Sequence, residues 1–315
     1  LLSTSLALGT IITLSSHHWL LAWTGLEINT MAIIPLMAKK HHPRATEAAT
    51  KYFLIQAASS SMILFSTSIN AWHTGDWSIT QPSYQTTSIL LTLALTMKLA
   101  LAPLHFWLPE VLQGTTLLTA TIIATWQKLA PMALLLQVSQ TLNPTVLMLL
   151  GILSILIGGW GGLNQTQLRK IMAFSSIAHL GWMMAVLPFS PPLTTLNLLL
   201  YLLMTLTTFL LITTTNSKTT QDLTTTWTTT PLLSTLTTIA LLSLGGLPPL
   251  TGFLPKWLIL QELVTQHMVP LATSMSILTL LSLFFYLRLS YVTALTMPPT
   301  TTTTNYKWRF KPNFP

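Results

Sequence analysis

Ser88-Ile89-Leu90-Leu91-Thr92-Leu93-Ala94-Leu95-Thr96-Met97-Lys98-Leu99-Ala100-Leu101-Ala102-Pro103-Leu104-His105-Phe106-Trp107-Leu108-Pro109-Glu110 is long and apolar enough to cross a bilayer, yet it holds a lysine in its middle and two prolines near its end. A spanning helix needs roughly 20 mostly apolar residues. Proline has no amide N–H and its ring collides with the carbonyl one turn back, so Pro103 and Pro109 break the helix they would otherwise extend. Backbone groups freed in this way are costly in hydrocarbon unless they line a hydrated cavity or are buried in protein. The stretch reads as a discontinuous membrane helix.

A second stretch repeats it without a gap. Pro103-Leu104-His105-Phe106-Trp107-Leu108-Pro109-Glu110 aligns with Pro249-Leu250-Thr251-Gly252-Phe253-Leu254-Pro255-Lys256, and five of the eight positions are identical or aromatic for aromatic. Chance is the competing explanation in a Leu-rich chain with 19 prolines. The cost of opening a helix in lipid favours function.

The rest of the chain has the same character. Of 315 residues only 6% are charged and half are hydrophobic, so the natural solvent is lipid. Apolar runs separated by Gly, Pro, His, Asn and charge predict ten helices, at about residues 1–15, 18–38, 46–71, 84–111, 116–141, 145–162, 167–188, 193–214, 231–266 and 270–296. The expected fold is an all-α, polytopic membrane helix bundle in one domain over 1–315, with no room for a sizeable aqueous domain. Residues 297–315, a Thr run followed by a basic aromatic stretch, are expected to form a tail on the basic side. The first residues do not read as a targeting presequence, and insertion is expected through the spans themselves. The chain begins with Leu1 rather than Met, and a terminus is expected to be missing.

Several functions are excluded at this level. The chain has no Cys, hence no disulfide, thiolate-bound iron–sulfur cluster or catalytic thiol. Its net charge of +8 is scattered over short loops and assembles no nucleic-acid face. Only His105 and His179 lie inside spans, a poor start for bis-His haem. Gly158-Gly159-Trp160-Gly161-Gly162 lacks the spacing and the preceding strand of a dinucleotide-binding turn, and close helix packing explains it better.

Lys and Arg collect on one side of a membrane. Counting alternate loops puts Lys39, Lys40, Arg44, Lys51, Arg169, Lys170, Lys218, Arg288, Lys307, Arg309 and Lys311 on the N-terminal side; the opposite loops hold His17, His18, His73, Asp76 and His267 but no Lys or Arg. In this topology the first broken segment runs toward the basic side and the second away from it, so residues of about 1–141 and 145–296 form two inverted five-helix repeats, each with a discontinuous helix. That is a transporter signature.

Topology leaves Lys98, Lys128 and Lys256 unexplained, together with Glu27 near the centre of the second span. A Lys or Asp at a helix centre costs about 2.5–3.5 kcal/mol on insertion scales. Each could merely snorkel or hold helices together, although Lys98 and Lys128 lie many turns from either end. The set suits proton transfer better than solute binding, because burial and a neighbouring carboxylate push a lysine in opposite directions and make it switchable. Ser175, Ser176 and His179 could hold water between the sites, and His179 could titrate, though a lone intramembrane His is more often a hydrogen-bond donor between helices.

At these residues the sequence resembles a known family. Trp19-Leu20-Leu21-Ala22-Trp23-Thr24-Gly25-Leu26-Glu27-Ile28-Asn29, the stretch from Lys98 to Gly114, that from Gly162 through Gln165-Thr166-Gln167-Leu168-Arg169-Lys170 to Gly181, and that from Gly245 to Trp257 are similar to the subunit 2 family of animal mitochondrial NADH:ubiquinone oxidoreductase, respiratory complex I. The resemblance covers nearly the whole chain. It implies an antiporter-like membrane-arm subunit of the mitochondrial inner membrane, with its basic loops facing the matrix. It implies a carboxylate at Glu27 pairing with the broken-helix lysine Lys98, a central lysine at Lys128, and the ionisable residue of the second broken helix at Lys256.

Family members typically end with one more helix than is found here, which suggests a truncated chain. No cofactor is implied on this chain: NADH, flavin, iron–sulfur clusters and ubiquinone belong to other subunits. The implied partners are other membrane-arm and accessory subunits and phospholipid, with no nucleic acid. The expected function is proton movement through buried Lys, Glu and water, driven by quinone reduction elsewhere in the complex. Two rivals stay open: a stand-alone cation/proton antiporter, against which a single buried Glu argues, and a purely architectural subunit.

Overall fold

The structure, a computed structural model, describes residues 2–39, 41–79 and 85–294. Fourteen helices account for most of them: α1 (Leu2–Ser15), α2 (Trp19–Ala38), α3 (Pro43–Thr74), α4 (Gln85–Leu99), α5 (Trp107–Gly114), α6 (Leu117–Ala124), α7 (Leu129–Val138), α8 (Pro144–Leu163), α9 (Leu168–Val186), α10 (Pro191–Thr215), α11 (Thr220–Thr229), α12 (Pro231–Gly245), α13 (Phe253–Thr265) and α14 (Val269–Ala294). A 3₁₀ turn, Trp126–Lys128, joins α6 to α7. Local chemistry sets the boundaries. Proline opens α3, α8, α10 and α12, where its missing N–H is no loss. Gly75 and Asn216 close α3 and α10 in the left-handed conformation.

Among the described residues five helices are long and apolar enough to cross a membrane unaided: α2, α3, α8, α10 and α14. The other five segments expected from the sequence are present as short or divided elements. α1 is a shorter apolar helix, α9 mixes in more polar residues, and three segments are split into α4 with α5, α6 with α7, and α12 with α13. The split at 125–128 corrects the continuous helix expected over 116–141. Pro131 cannot donate to the Gln127 carbonyl and its ring crowds it, so the preceding turn tightens into a 3₁₀ turn. α11 was not expected at all. It is a polar Thr-rich helix held by a capping box, with Thr219 Oγ1 accepting from the Asp222 amide and the Asp222 carboxylate accepting from the Thr219 amide.

The bundle has two distinct ends. At one end the α8–α9 and α10–α11 loops pair through Leu168 N–H to Lys218 C=O and Thr220 N–H to Thr166 C=O. Arg169 donates to the Thr115 carbonyl, Arg288 to the Leu163 and Gln165 carbonyls, and Lys51 bridges Glu47 and Glu110. At the other end Trp19 N–H meets Trp77 C=O, Ile79 N–H meets His17 C=O, and Gln137 reaches the Leu14 carbonyl. Loops assigned to one side from their charges are thus in contact with one another. Lys40, Lys307, Arg309, Lys311 and the 297–315 tail lie outside the described residues.

Close packing of α8 on α9 depends on glycine. A Cβ on Gly158 would stand 2.7 Å from the Ala178 amide nitrogen, and one on Gly181 would stand 2.8 Å from the Gly151 carbonyl oxygen. This fixes α9, and with it Ser175, Ser176 and His179, in the centre of the bundle.

Candidate functional site

The two proline-broken segments share one plan. In the first, α4 ends at Leu99 and Ala100 turns left-handed (φ 63°); in the second, α12 ends at Gly245 and Gly246 does the same (φ 80°). The chain resumes as helix at Trp107 and Phe253, so every landmark keeps the register of the Pro103–Pro249 alignment. At the end of α4, Leu101 N–H bonds to Thr96 C=O and Ala100 N–H to Met97 C=O, the two bonds of a Schellman cap. The Trp107 indole returns from α5 to the Met97 carbonyl at 3.1 Å.

These breaks place the lysines. Lys98 sits in the last turn of α4, where unpaired carbonyls favour a cation. It is 5% exposed, and its Nζ has no hydrogen-bond partner in the protein. Lys256 lies just beyond its break, and its Nζ donates back to the Gly245 carbonyl at 2.9 Å. Lys128, 3% exposed, occupies the 3₁₀ turn between α6 and α7; its Nζ donates to Tyr201 Oη at 2.9 Å and stands 4.9 Å from that ring. All three lysines therefore stand at interruptions rather than on the continuous helices that apolar periodicity suggested for Lys128.

A small cavity joins two of them. It holds about 20 Å³ and is lined by Lys98 and Lys128 together with Asn29, Thr30, Gln127 and Tyr52, among others. A cavity of that size accommodates about one water. Thr30 links it to Glu27: its hydroxyl oxygen lies 2.8 Å from the Glu27 backbone carbonyl, to which it donates, and 3.2 Å from Glu27 Oε2. Glu27 is within electrostatic range of Lys98 but forms no ion pair among the described residues, so the direct pairing expected from the resemblance is absent in this state.

Buried polar atoms without a protein partner gather at this place. Of seven such side-chain atoms among the described residues, five are Trp23 Nε1, Glu27 Oε1, both amide atoms of Asn29, and Lys98 Nζ. Each buried group left unmatched costs about 1–3 kcal/mol, more when charged, so their concentration on α2 and at Lys98 sets this region apart from the rest of the described core.

On the far side of Lys128 lie further buried polar side chains. The Tyr201 ring packs against the His179 ring with centroids 5.5 Å apart. His179, 6% exposed, faces the Leu244 carbonyl near the end of α12 and lies within range of the Lys128 and Lys256 charges. Ser176 is beside Tyr201 and Ser175 beside Tyr286. Of the five sequence candidates, Lys98 and Lys128 line one cavity, Glu27 lies next to its Thr30, His179 packs on the tyrosine that Lys128 reaches, and Lys256 is held at the Gly245 carbonyl. Tyr201, Gln127 and Asn29 were not expected. Nothing in a Leu-rich span singles out a tyrosine whose partner lies 73 residues away.

Comparison with known proteins is consistent along the whole chain. Residues 16–282 match the family described as NADH:quinone oxidoreductase/Mrp antiporter, TM, and residues 283–315 match the NADH dehydrogenase subunit 2 C-terminus. NADH-ubiquinone oxidoreductase chain 2 of Varanus melinus is 58% identical over 313 residues, which is 99% of this chain and 91% of that one. The Xenopus laevis protein of the same name is 58% identical over 97% of this chain and 89% of its own length. Among solved structures, a chain of respiratory complex I from Thermus thermophilus superimposes with a TM-score of 0.86 at 30% identity, covering 98% of this chain and 74% of that chain. A chain of the Mrp complex from Dietzia sp. DQ12-45-1b, with a TM-score of 0.87 at 18% identity over 96% of this chain and 62% of that one, shares the fold. Near-complete coverage, two family matches in their natural order and the same broken-helix bundle have one reading: this chain belongs to the NADH-ubiquinone oxidoreductase chain 2 family of respiratory complex I.

Proposed function

We propose that the chain moves protons across the mitochondrial inner membrane along Glu27, Lys98, Lys128, His179 and Lys256, with water linking the side chains and quinone reduction in other subunits supplying the energy. The observation that carries this reading is the cavity shared by Lys98 and Lys128, with Glu27 one hydroxyl away through Thr30. Two lysines bordering one small, largely apolar space cannot both keep their protons cheaply. A proton arriving at one therefore favours its loss from the other. Glu27 sets the balance at the Lys98 end and His179 continues the line toward Lys256.

The bundle is read as ten spans in two inverted five-helix repeats. The matched registers of the two breaks support this, as does the contact between loops that share a charge. The basic end is assigned to the matrix, in keeping with the positive-inside rule. NADH, flavin, iron–sulfur clusters and the quinone site are assigned to other subunits. Membrane-arm and accessory subunits and phospholipid are the partners.

The test is Lys98→Met in a complex shown to be fully assembled. Protons pumped per electron should fall while NADH oxidation by a soluble acceptor stays intact. An unchanged proton-to-electron ratio would remove Lys98 from the path and leave the architectural reading in its place.

A further inference from the structure

Three unmatched atoms near the first break are complementary in kind. Trp23 Nε1 and Lys98 Nζ donate, Glu27 Oε1 accepts, and none of the three has a hydrogen-bond partner in the protein. Each is shut off from the surface of the chain, so no neighbouring subunit reaches it. What matches them comes from inside the bundle. The Asn29 amide is unmatched too, but it is turned toward α1, where a Cβ on Gly9 would stand 2.5 Å from its oxygen.

Helix geometry brings two of the three together. Trp23, Glu27 and Thr30 stand at i, i+4 and i+7 of α2 and so share one face. Helical side chains lean toward the N-terminus, which lays the Glu27 carboxylate over the turn that carries Trp23. Thr30 lies beside Oε2 and leaves Oε1 to another donor. Thr24, the other side chain of the preceding turn one step from Trp23, directs its hydroxyl to the Leu21 carbonyl. The indole N–H is the donor that remains on α2. Across from it, Lys98 on α4 is within electrostatic range of the same carboxylate. One free oxygen thus lies between two unmatched donors on different helices, and in this state it has taken neither.

We propose that Trp23 is a positioning residue that gives the Glu27 carboxylate a second station, a hydrogen bond from the indole N–H, so that the carboxylate can part from Lys98 without being stranded in the core. The two donors differ in what they do. At Lys98 the carboxylate is a counter-charge that holds the ammonium proton in place. At Trp23 it meets a neutral N–H that keeps its own proton, Lys98 stands without its counter-charge, and the Lys98 proton leaves for water in the cavity. The move itself is a rotation of the Glu27 side chain. The other titratable groups near the pair are Tyr52 from α3 and Lys128 at the cavity; α1 and α7, also packed on α2, carry none. The inference rests on Glu27 and Lys98 belonging to the proton path.

Trp23→Phe keeps an aromatic ring and removes the donor. In the assembled complex, coupled quinone reduction should fall about tenfold, the factor for one hydrogen bond to a charged group, while NADH oxidation by a soluble acceptor stays intact. Protons per electron should drop and the pH profile of the coupled rate should move; a Phe variant normal in both overturns the second station. In a Glu27→Gln background Trp23→Phe should add nothing, and a further loss there assigns the indole to packing and overturns the proposal. Glu27→Gln alone separates the two claims: with normal pumping the path reading falls and the inference with it, whereas impaired pumping beside a normal Trp23→Phe sinks the inference only. Should the Phe variant fail to assemble, maps of the unaltered complex at rest and in turnover decide. The carboxylate should be within hydrogen-bond reach of Trp23 Nε1 in one and of Lys98 Nζ in the other, and maps in which it never meets Trp23 overturn the proposal.

Discussion

Replacing Gly246 by alanine tests how the second break holds its lysine. Gly246 has φ 80°, and a Cβ there would stand 2.8 Å from Lys256 Nζ and 3.1 Å from Cδ and Cε. Two costs separate cleanly. A left-handed alanine costs roughly 1–2 kcal/mol relative to glycine, and Ala100 at the equivalent place in the first break shows that the backbone accepts it. The added methyl also pushes Lys256 off the Gly245 carbonyl, a bond of 2.9 Å from a charged donor, worth about 1.5–3 kcal/mol. Gly246→Ala should therefore destabilise the assembled complex by roughly 2.5–5 kcal/mol, falling to about 1–2 kcal/mol in a Lys256→Ala background. The assay is the lifetime of the assembled complex at fixed temperature on native gels, for both single variants and the double. If Gly246→Ala shortens the lifetime by the same factor in both backgrounds, Lys256 is not anchored at the break.

Other consequences are simpler to check. Gly158→Ala drives a methyl against the Ala178 nitrogen and the Phe174 carbonyl, backbone atoms that cannot turn aside, and should cost about 1–3 kcal/mol, seen as lower assembly of the complex. Arg288→Lys replaces a guanidinium that serves the Leu163 and Gln165 carbonyls together; an ammonium cannot span both, and a loss of about 1–3 kcal/mol should appear as faster amide exchange in the α8–α9 loop. Burial pushes the Asp222 carboxyl up, but the Thr219 and Lys218 amides, the Thr219 hydroxyl and the Lys218 charge outweigh it and hold it below the usual Asp range. Its contribution to α11 is thus complete above an ordinary Asp pKa of about 3.9 and fades as pH falls through the lower folded value. Exchange of the Lys218 and Thr219 amides should accelerate only on such acidification, and Asp222→Ala should reproduce the effect at neutral pH at a cost of about 1 kcal/mol.

Proline and charge are loud signals in a Leu-rich chain, and the elements they govern were legible in the sequence. Pro103 and Pro249 announced the two breaks, and Glu27, Lys98, Lys128 and Lys256 stood out because lipid penalises them. The third break escaped, because Pro131 acts one turn back, at residues where no breaker stands. α11 escaped because its ten residues carry no apolar stripe; only Thr219 and Asp222, three apart, mark its start. Tyr201 and Asn29 escaped for a different reason. Their importance comes from partners far away in the chain, and no local pattern records such a partner.

The two broken helices follow one register, yet the lysines do not. Aligned by sequence, Lys98 falls opposite Leu244 and Lys256 opposite Glu110. In space both residues belong to the carbonyl-bearing end of the leading half-helix: Lys98 stands in its final turn, and Lys256 reaches backward to its last carbonyl from the segment that follows. The position of the charge along the sequence differs between the two breaks, while the helix end with its negative pole stands beside it in both. Equivalence between the two breaks is a matter of electrostatic address, and a column-by-column comparison would pair a buried lysine with Leu244 in one case and Glu110 in the other.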